Sequence, residues 1–183
     1  VMSFVARNLE PVRGFHMLMR TLPELQRRRP KAHVIIVGGD ELSYGKAAPG
    51  GVSWRDHMLA EVGDRLDMRR IHFVGKVPYQ AYLYILQISR VHAYWTTPFV
   101  LSWSFLEAAM SGLPVVASDT PPVMEFAQQL GVKTVGFFDA PAYIEALAKA
   151  LAKKNARREP FSLPELELEY CLREQKRVLM QTI

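Results

Sequence analysis

Short apolar runs rich in β-branched residues alternate along this chain with stretches whose apolar residues recur at helical spacing. The runs are Met2–Ala6, His33–Val37, Ile71–Val74, Val91–Trp95, Pro114–Ala117 and Thr134–Phe137. They are apolar on both sides, as strands are in a parallel sheet covered on both faces. Between them, Phe15, Leu18, Leu22 and Leu25 mark one helix face, Met58, Val62 and Leu66 a second, and Ile144, Leu147 and Leu151 a third. Tyr79–Ser89 is apolar nearly all round and predicts a well-buried helix. Strand and helix in alternation call for right-handed crossovers. The pattern therefore predicts a doubly wound, Rossmann-like α/β domain over residues 1–154, with a six-stranded parallel sheet and helices on both faces. The polar stretch Lys153–Pro164 predicts a linker, and Glu165–Met180 a last helix, so residues 155–183 read as linker and C-terminal helix.

Composition narrows the class. At 183 residues, 49% hydrophobic and 22% charged, the chain has one domain's length and enough apolar surface for a core. No apolar run reaches the roughly 18 residues that a membrane span needs. Val1–Ala6 reads as a strand and not as a signal peptide, and position 1 is not Met, so the chain is expected to be a piece of a longer protein. The single cysteine, Cys171, allows no internal disulfide and suits a reducing, cytoplasmic setting. A net charge of +5 suits an anionic ligand, or contact with an anionic membrane at its inner face, and is too small and too spread for nucleic acid. Arg27–Lys31 and Lys153–Arg158 fall at predicted helix ends, where cations complement the dipole, and no interleaved aromatics offer stacking for bases. The five histidines show no metal-ligand spacing, so neither a metal nor a cofactor is expected.

In a doubly wound sheet, ligands bind beyond the carboxyl ends of the strands. Arg7 and Arg13 follow the first predicted strand, Gly38, Gly39 and Asp40 the second, Gly75 and Lys76 the third, Thr96–Ser104 the fourth and Ser118–Thr120 the fifth. Cations and glycine turns at one edge suit a phosphate, because glycines let backbone N–H groups approach it and cations neutralise it. The segment Pro98–Glu107 leads into a helix whose N-terminus points to the same edge. The Gly-x-Gly-x-x-Gly dinucleotide turn is absent. Arg7-Asn-Leu-Glu-Pro-Val-Arg-Gly14 stands in its place, which argues against a nicotinamide or flavin enzyme.

Four pieces occur in order: Arg7…Arg13-Gly14, Val34-Ile-Ile-Val-Gly-Gly39, His72-Phe-Val-Gly75 and Leu106-Glu-Ala-Ala-Met-Ser-Gly-Leu-Pro-Val-Val-Ala117. Together they resemble the C-terminal, nucleotide-sugar-binding domain of retaining group 1 glycosyltransferases, one half of a GT-B enzyme. The resemblance implies transfer of a sugar from a nucleoside diphosphate sugar to a glycan or other acceptor, as in polysaccharide synthesis. It implies diphosphate contacts from Arg7 and Arg13, ribose contacts from Glu107, and a base flanked by Gly75, Lys76 and Val77. The loop Phe99, Val100, Leu101 and Ser102 would meet phosphate and donor sugar, beside the Gly38-Gly39 turn. A partner N-terminal domain, outside this chain, would carry the acceptor.

One position departs from the pattern. The family motif has two Glu residues with seven between, and Phe99 occupies the first. Backbone groups of this loop are then expected to do that work. Glu107 also has a structural alternative, since Ser104-x-x-Glu107 spells a capping box. Asp40 and Glu41 would balance nearby cations or touch acceptor. At the level of function, a donor-binding domain of an enzyme, inactive alone, stands beside a non-catalytic module of the same fold.

Overall fold

The computed structural model describes residues 1–153 together with Glu159, Pro160, Leu163 and Arg173. The helix expected over Glu165–Met180, and most of the linker before it, lie outside the described residues. Six strands form one sheet: β1 (Met2–Asn8), β2 (Val34–Gly39), β3 (Ile71–Gly75), β4 (Val91–Tyr94), β5 (Val115–Ser118) and β6 (Lys133–Val135). All pairings are parallel, in the order β3-β2-β1-β4-β5-β6. The order reverses between β1 and β4, so their crossovers leave on opposite sides and open a crevice at the carboxyl edge.

Among the described residues, six α-helices cover the two faces: α1 (Phe15–Arg28), α2 (Trp54–Val62), α3 (Tyr79–Ile88), α4 (Trp103–Met110), α5 (Pro121–Ala127) and α6 (Ala140–Ala152). Phe15, Leu18, Leu22 and Leu25 of α1 pack with Met58 and Val62 of α2 and Tyr143, Leu147 and Leu151 of α6 on one face. Tyr82 and Leu86 of α3, Phe105 and Leu106 of α4 and Val123 and Ala127 of α5 form the second layer, joined by Leu163. Strands β4 and β5 are buried at every residue, as near-continuous apolar runs should be between two helical layers.

Two helical expectations change. Helix α2 ends at Val62, because Gly63 opens a separate 3-10 turn, so Leu66 packs on the core from beyond the helix. Helix α3 is not buried all round. Only Tyr82 and Leu86 are buried, while Tyr84 and Ile88 are 56% and 58% exposed. An all-apolar sequence carries no periodicity to say which face is covered, and the sheet covers only one.

Two buried features make this framework testable. His92 of β4 is fully buried, with Nδ1 3.0 Å from Ser3 Oγ and, among the described residues, no partner at Nε2. Burial alone pushes its pKa down to about 3. Unfolded, it protonates near the ordinary histidine value, so between these limits the unfolded chain holds the extra proton. Stability contributed by neutral His92 is therefore present above about pH 6.5 and falls as pH drops, by up to about 1.4 kcal/mol per pH unit. His16, also pushed down mainly by burial, acts in the same direction. Urea unfolding between about pH 7 and about pH 5, above the usual carboxylate range, should show this slope, and His92→Gln should flatten it. The second feature is Gly14, at φ 70 between Arg13 and α1, where an added Cβ would overlap Trp95 Cβ. Gly14→Ala should cost roughly 3 kcal/mol or more in the same assay. Gly50→Ala, at φ 78 with nothing within 4 Å, should cost only the left-handed backbone, about 1–2 kcal/mol.

Candidate functional site

The site begins with the crossover out of β1. Pro11–Arg13 form one 3-10 turn, and Gly14 in the left-handed region turns the chain into α1. The turn is tied to the segment after β4: the Thr97 N–H donates to the Val12 carbonyl at 3.0 Å. This places the half-buried Arg13 against the loop before α4. Its Nη1 donates to Thr96 Oγ1 at 3.2 Å and to the Val100 carbonyl at 2.9 Å. Two rings flank the guanidinium, Phe99 at 5.1 Å and Tyr44 at 5.8 Å from their centroids, and the rings themselves are 4.9 Å apart. Phe99, at the position of the family's first Glu, thus faces a cation. The Val100 backbone supplies a polar contact in this loop.

Arg7 and Lys76 lie across Tyr44 from this cluster. They border a cleft of about 380 Å³ with Asn8, Glu41, Ser43 and Tyr44. Lys76 Nζ is 2.8 Å from Glu41 Oε2, and this pairing holds the exposed Glu41 carboxyl below the usual carboxylate range. Asp40 pairs with Arg55 at 2.9 Å. Both acids after β2 therefore balance cations. A Cβ at Gly39 would meet the ends of the Glu41, Asn8 and Lys76 side chains, so the glycine leaves room for the Lys76–Glu41 pair beside the turn. Beside it, Gly38 packs against Leu9 and the Ala6 carbonyl.

No sequence signal points to Glu10, yet it organises this edge. Its side chain is 1% exposed. Oε1 accepts the backbone N–H groups of Ser43 at 2.7 Å, Tyr44 at 3.2 Å and Gly45 at 3.2 Å. A buried carboxylate is tolerated only with such partners, and here they fix the loop that carries Glu41 and Tyr44. A lone Glu ahead of Pro11 has no periodicity or motif, so only the fold reveals it.

Helix α4 supplies the remaining candidates. Its N-cap is Ser102, whose Oγ accepts the Ser104 N–H at 3.2 Å, and the Ser102 N–H donates to the buried Tyr94 hydroxyl at 3.0 Å. Ser104 is inside the helix and buried, so the Ser104-x-x-Glu107 capping box does not form. Glu107, half-buried, instead accepts a hydrogen bond at Oε1 from the Tyr79 hydroxyl, 3.0 Å away at the start of α3. Leu101 packs on the second core layer, whereas Val100 and Trp103 are each 70% exposed. Gly75, at φ 67, closes β3, and Val77 leans on the same core layer just before α3. Trp95 is core, stacked on Tyr143 and donating to the Phe137 carbonyl at 3.1 Å. His16 packs beside Phe137, with Arg20 and Glu61 as its charged neighbours.

The edge thus holds two cationic stations separated by an aromatic ring, and a carboxylate faced by a phenol. Among the described residues no group of three His, Cys, Asp or Glu side chains is placed to hold a metal ion. No described helix is long and apolar enough to cross a membrane.

Comparison with known proteins agrees with this architecture. Sucrose-phosphate synthase from Thermosynechococcus elongatus superposes with a TM-score of 0.75 at 17% identity, over 100% of this chain and 46% of that one. The C-terminal domain of a glycosyl transferase group 1 family protein (LpcC) from Francisella tularensis gives 0.68 at 13% identity, over 85% of this chain and 77% of that one. A UDP-forming α,α-trehalose-phosphate synthase from Burkholderia vietnamiensis gives 0.66 at 16% identity, over 86% of this chain and 38% of that one. The chain spans less than half the length of the two synthases. At these identities the likeness concerns the fold, which is that of one half of a GT-B enzyme. No curated protein sequence matches the chain. The family model for glycosyl transferases group 1 matches residues 1–153, and to that family the chain belongs.

Proposed function

We propose that the chain is the donor-binding domain of a retaining glycosyltransferase and that it takes the nucleoside diphosphate end of a nucleotide sugar. The observation that carries this reading is that one carboxyl edge holds Arg7 and Lys76 on a shared cleft and Arg13 on the loop that leads into α4. Glycosyl transfer expels a nucleoside diphosphate. Its growing negative charge is stabilised by cations and a helix N-terminus already oriented toward it. In this reading that set does the work of a metal ion, and none is required. Glu107 accepts hydrogen bonds from the ribose hydroxyls, the Gly38-Gly39 and Gly75–Val77 backbones flank phosphate and base, and Phe99–Ser102 border the donor sugar. The UDP-forming activity in the name of one similar structure fits a uracil nucleotide. A second domain supplies the acceptor, a growing polysaccharide or another glycan, at the cytoplasmic face of a membrane. The chain alone then binds donor without transferring it.

Phe99 favours a second reading, a nucleotide-sugar-binding module without catalysis, because an aromatic ring replaces a carboxylate there. Turnover by the full-length protein separates the two.

Calorimetry of the 183-residue chain with uridine, guanosine and adenosine diphosphates tests the donor reading. One of them should bind, and no sugar should be transferred. Arg7→Ala should weaken that binding by roughly 1.5–3 kcal/mol, the scale of a hydrogen bond to a charged group. Its exposed side chain makes no other described hydrogen bond or ion pair, so the melting temperature should hold. Arg13→Ala should weaken binding similarly while also loosening the Thr96–Val100 loop. Full affinity in Arg7→Ala and Arg13→Ala together would sink the phosphate assignment.

Glu107→Gln gives an independent check. It should lower affinity for the ribonucleoside diphosphate and leave the 2′,3′-dideoxy analogue nearly unchanged, because only the former presents a diol to the carboxylate. An unaltered ratio of the two affinities would remove Glu107 from the site.

A further inference from the structure

Glu107 meets α3 through two phenols, and they are in different states. Tyr79, in the first turn of α3, is 61% exposed and donates to Glu107 Oε1 at 3.0 Å. Tyr82, one turn on, is 7% exposed, with its ring centroid 5.8 Å from that of Tyr79. Its hydroxyl is buried and has no hydrogen-bond partner of good geometry among the described residues. Burial and the Glu107 carboxylate both push its pKa up, so Tyr82 stays a proton donor at any working pH. A buried hydroxyl without a partner costs free energy unless something arrives to use it. The three groups lie where the chain has just left Gly75-Lys76-Val77, and Lys76 borders the Arg7 cleft.

We infer that Tyr79 and Tyr82 complete the nucleoside end of the site, Tyr79 as a displaceable partner of Glu107 that also stacks on the base, and Tyr82 as a donor to the ribose. This rests on the donor-binding reading above. A vicinal diol needs acceptors for two O–H groups and offers oxygens that can accept in return. Glu107 has acceptor capacity for both hydroxyls, and the buried Tyr82 O–H, beside that carboxylate but without a well-formed hydrogen bond, can donate to a diol oxygen. When the diol takes Oε1, the Tyr79 hydroxyl is released to water at little cost, because the side chain is already mostly solvated. Its ring then offers an exposed aromatic face beside the ribose. Stacking on such a face is tolerant of base identity, so Tyr79 adds affinity for nucleosides as a class, while the Tyr82–Glu107 pair reads the sugar hydroxyls. In the protein without ligand, Tyr79 keeps the Glu107 carboxylate in place and hydrogen-bonded.

The alternative is a plain brace between α3 and α4, and four probes separate the two. The full chain is titrated with uridine diphosphate, the 2′,3′-dideoxy analogue, guanosine diphosphate and inorganic pyrophosphate. Tyr79→Ala should bind any ribonucleoside diphosphate that the unaltered chain takes about tenfold more weakly and bind pyrophosphate as before, whereas Tyr79→Phe, which keeps the ring, should stay within about threefold. Tyr82→Phe, isosteric and safe for the core, should lower the ratio of ribo- to dideoxy-affinity by about fivefold. Nucleotide affinity unchanged in Tyr79→Ala, or weakened equally for pyrophosphate, overturns the stacking role. An unchanged ratio in Tyr82→Phe overturns the ribose role. If the unaltered chain binds none of uridine, guanosine and adenosine diphosphates, the donor-binding reading itself falls, and this one with it.

Discussion

Gly14 against Trp95 is the contact on which the site depends. Trp95 closes β4 and is held in the core by Tyr143 and the Phe137 carbonyl. The β1 crossover can pass it only where the chain has no side chain, and only in a left-handed turn. Because it passes so closely, the Val12 carbonyl reaches the Thr97 N–H, and Arg13 reaches Thr96 and Val100. A residue near the start of the sequence and a loop some 85 positions later become one structure. The cation is fixed by the packing of the sheet, not by its own long side chain.

Glu10 does the corresponding work on the other side of the crossover. A carboxyl group buried to this degree is costly unless it is hydrogen-bonded, and three backbone N–H groups offset the cost by cradling it. The loop after β2 is therefore pinned at its middle. Tyr44, held in that loop, contributes one wall to each cationic station. The aromatic ring of Phe99 completes the arrangement from the α4 side, where guanidinium–ring attraction suits a planar, weakly hydrated cation. A lysine in place of Arg13 would present a compact, strongly hydrated ammonium to the two rings in place of the planar guanidinium.

Much of this could be read from the sequence, and the limits have physical reasons. The six strands appear within a few residues of their expected ends, because short β-branched runs between helical periods carry the signal directly. Arg7, Arg13 and the Gly38-Gly39 pair were legible for the same local reason, their place at strand ends, although β1 and β2 run on to include Arg7 and both glycines and only Arg13 lies in the crossover beyond. What was hidden depends on distance in space. The Ser104–Glu107 spacing reads as a capping box, but the cap belongs to Ser102, whose N–H is claimed by Tyr94 from the neighbouring strand. Glu10 and Tyr79 acquire their meaning from partners about 34 and 28 positions away, and no periodic pattern encodes such pairs. Helix α3 is apolar enough to be read as buried, yet Tyr84 and Ile88 face outward. Hydrophobicity measures what a surface would gain from cover and says nothing of whether cover is at hand.

The pairing of Lys76 with Glu41 has a consequence for traffic through the crevice. Any anion that settles between Arg7 and Lys76 must take the place of a carboxylate already there. In this structure the lysine is already paired, so the net gain on entry is the difference between two ion pairs. Glu41 is thus a tethered competitor for any such anion, fixed to the same loop that walls the cleft.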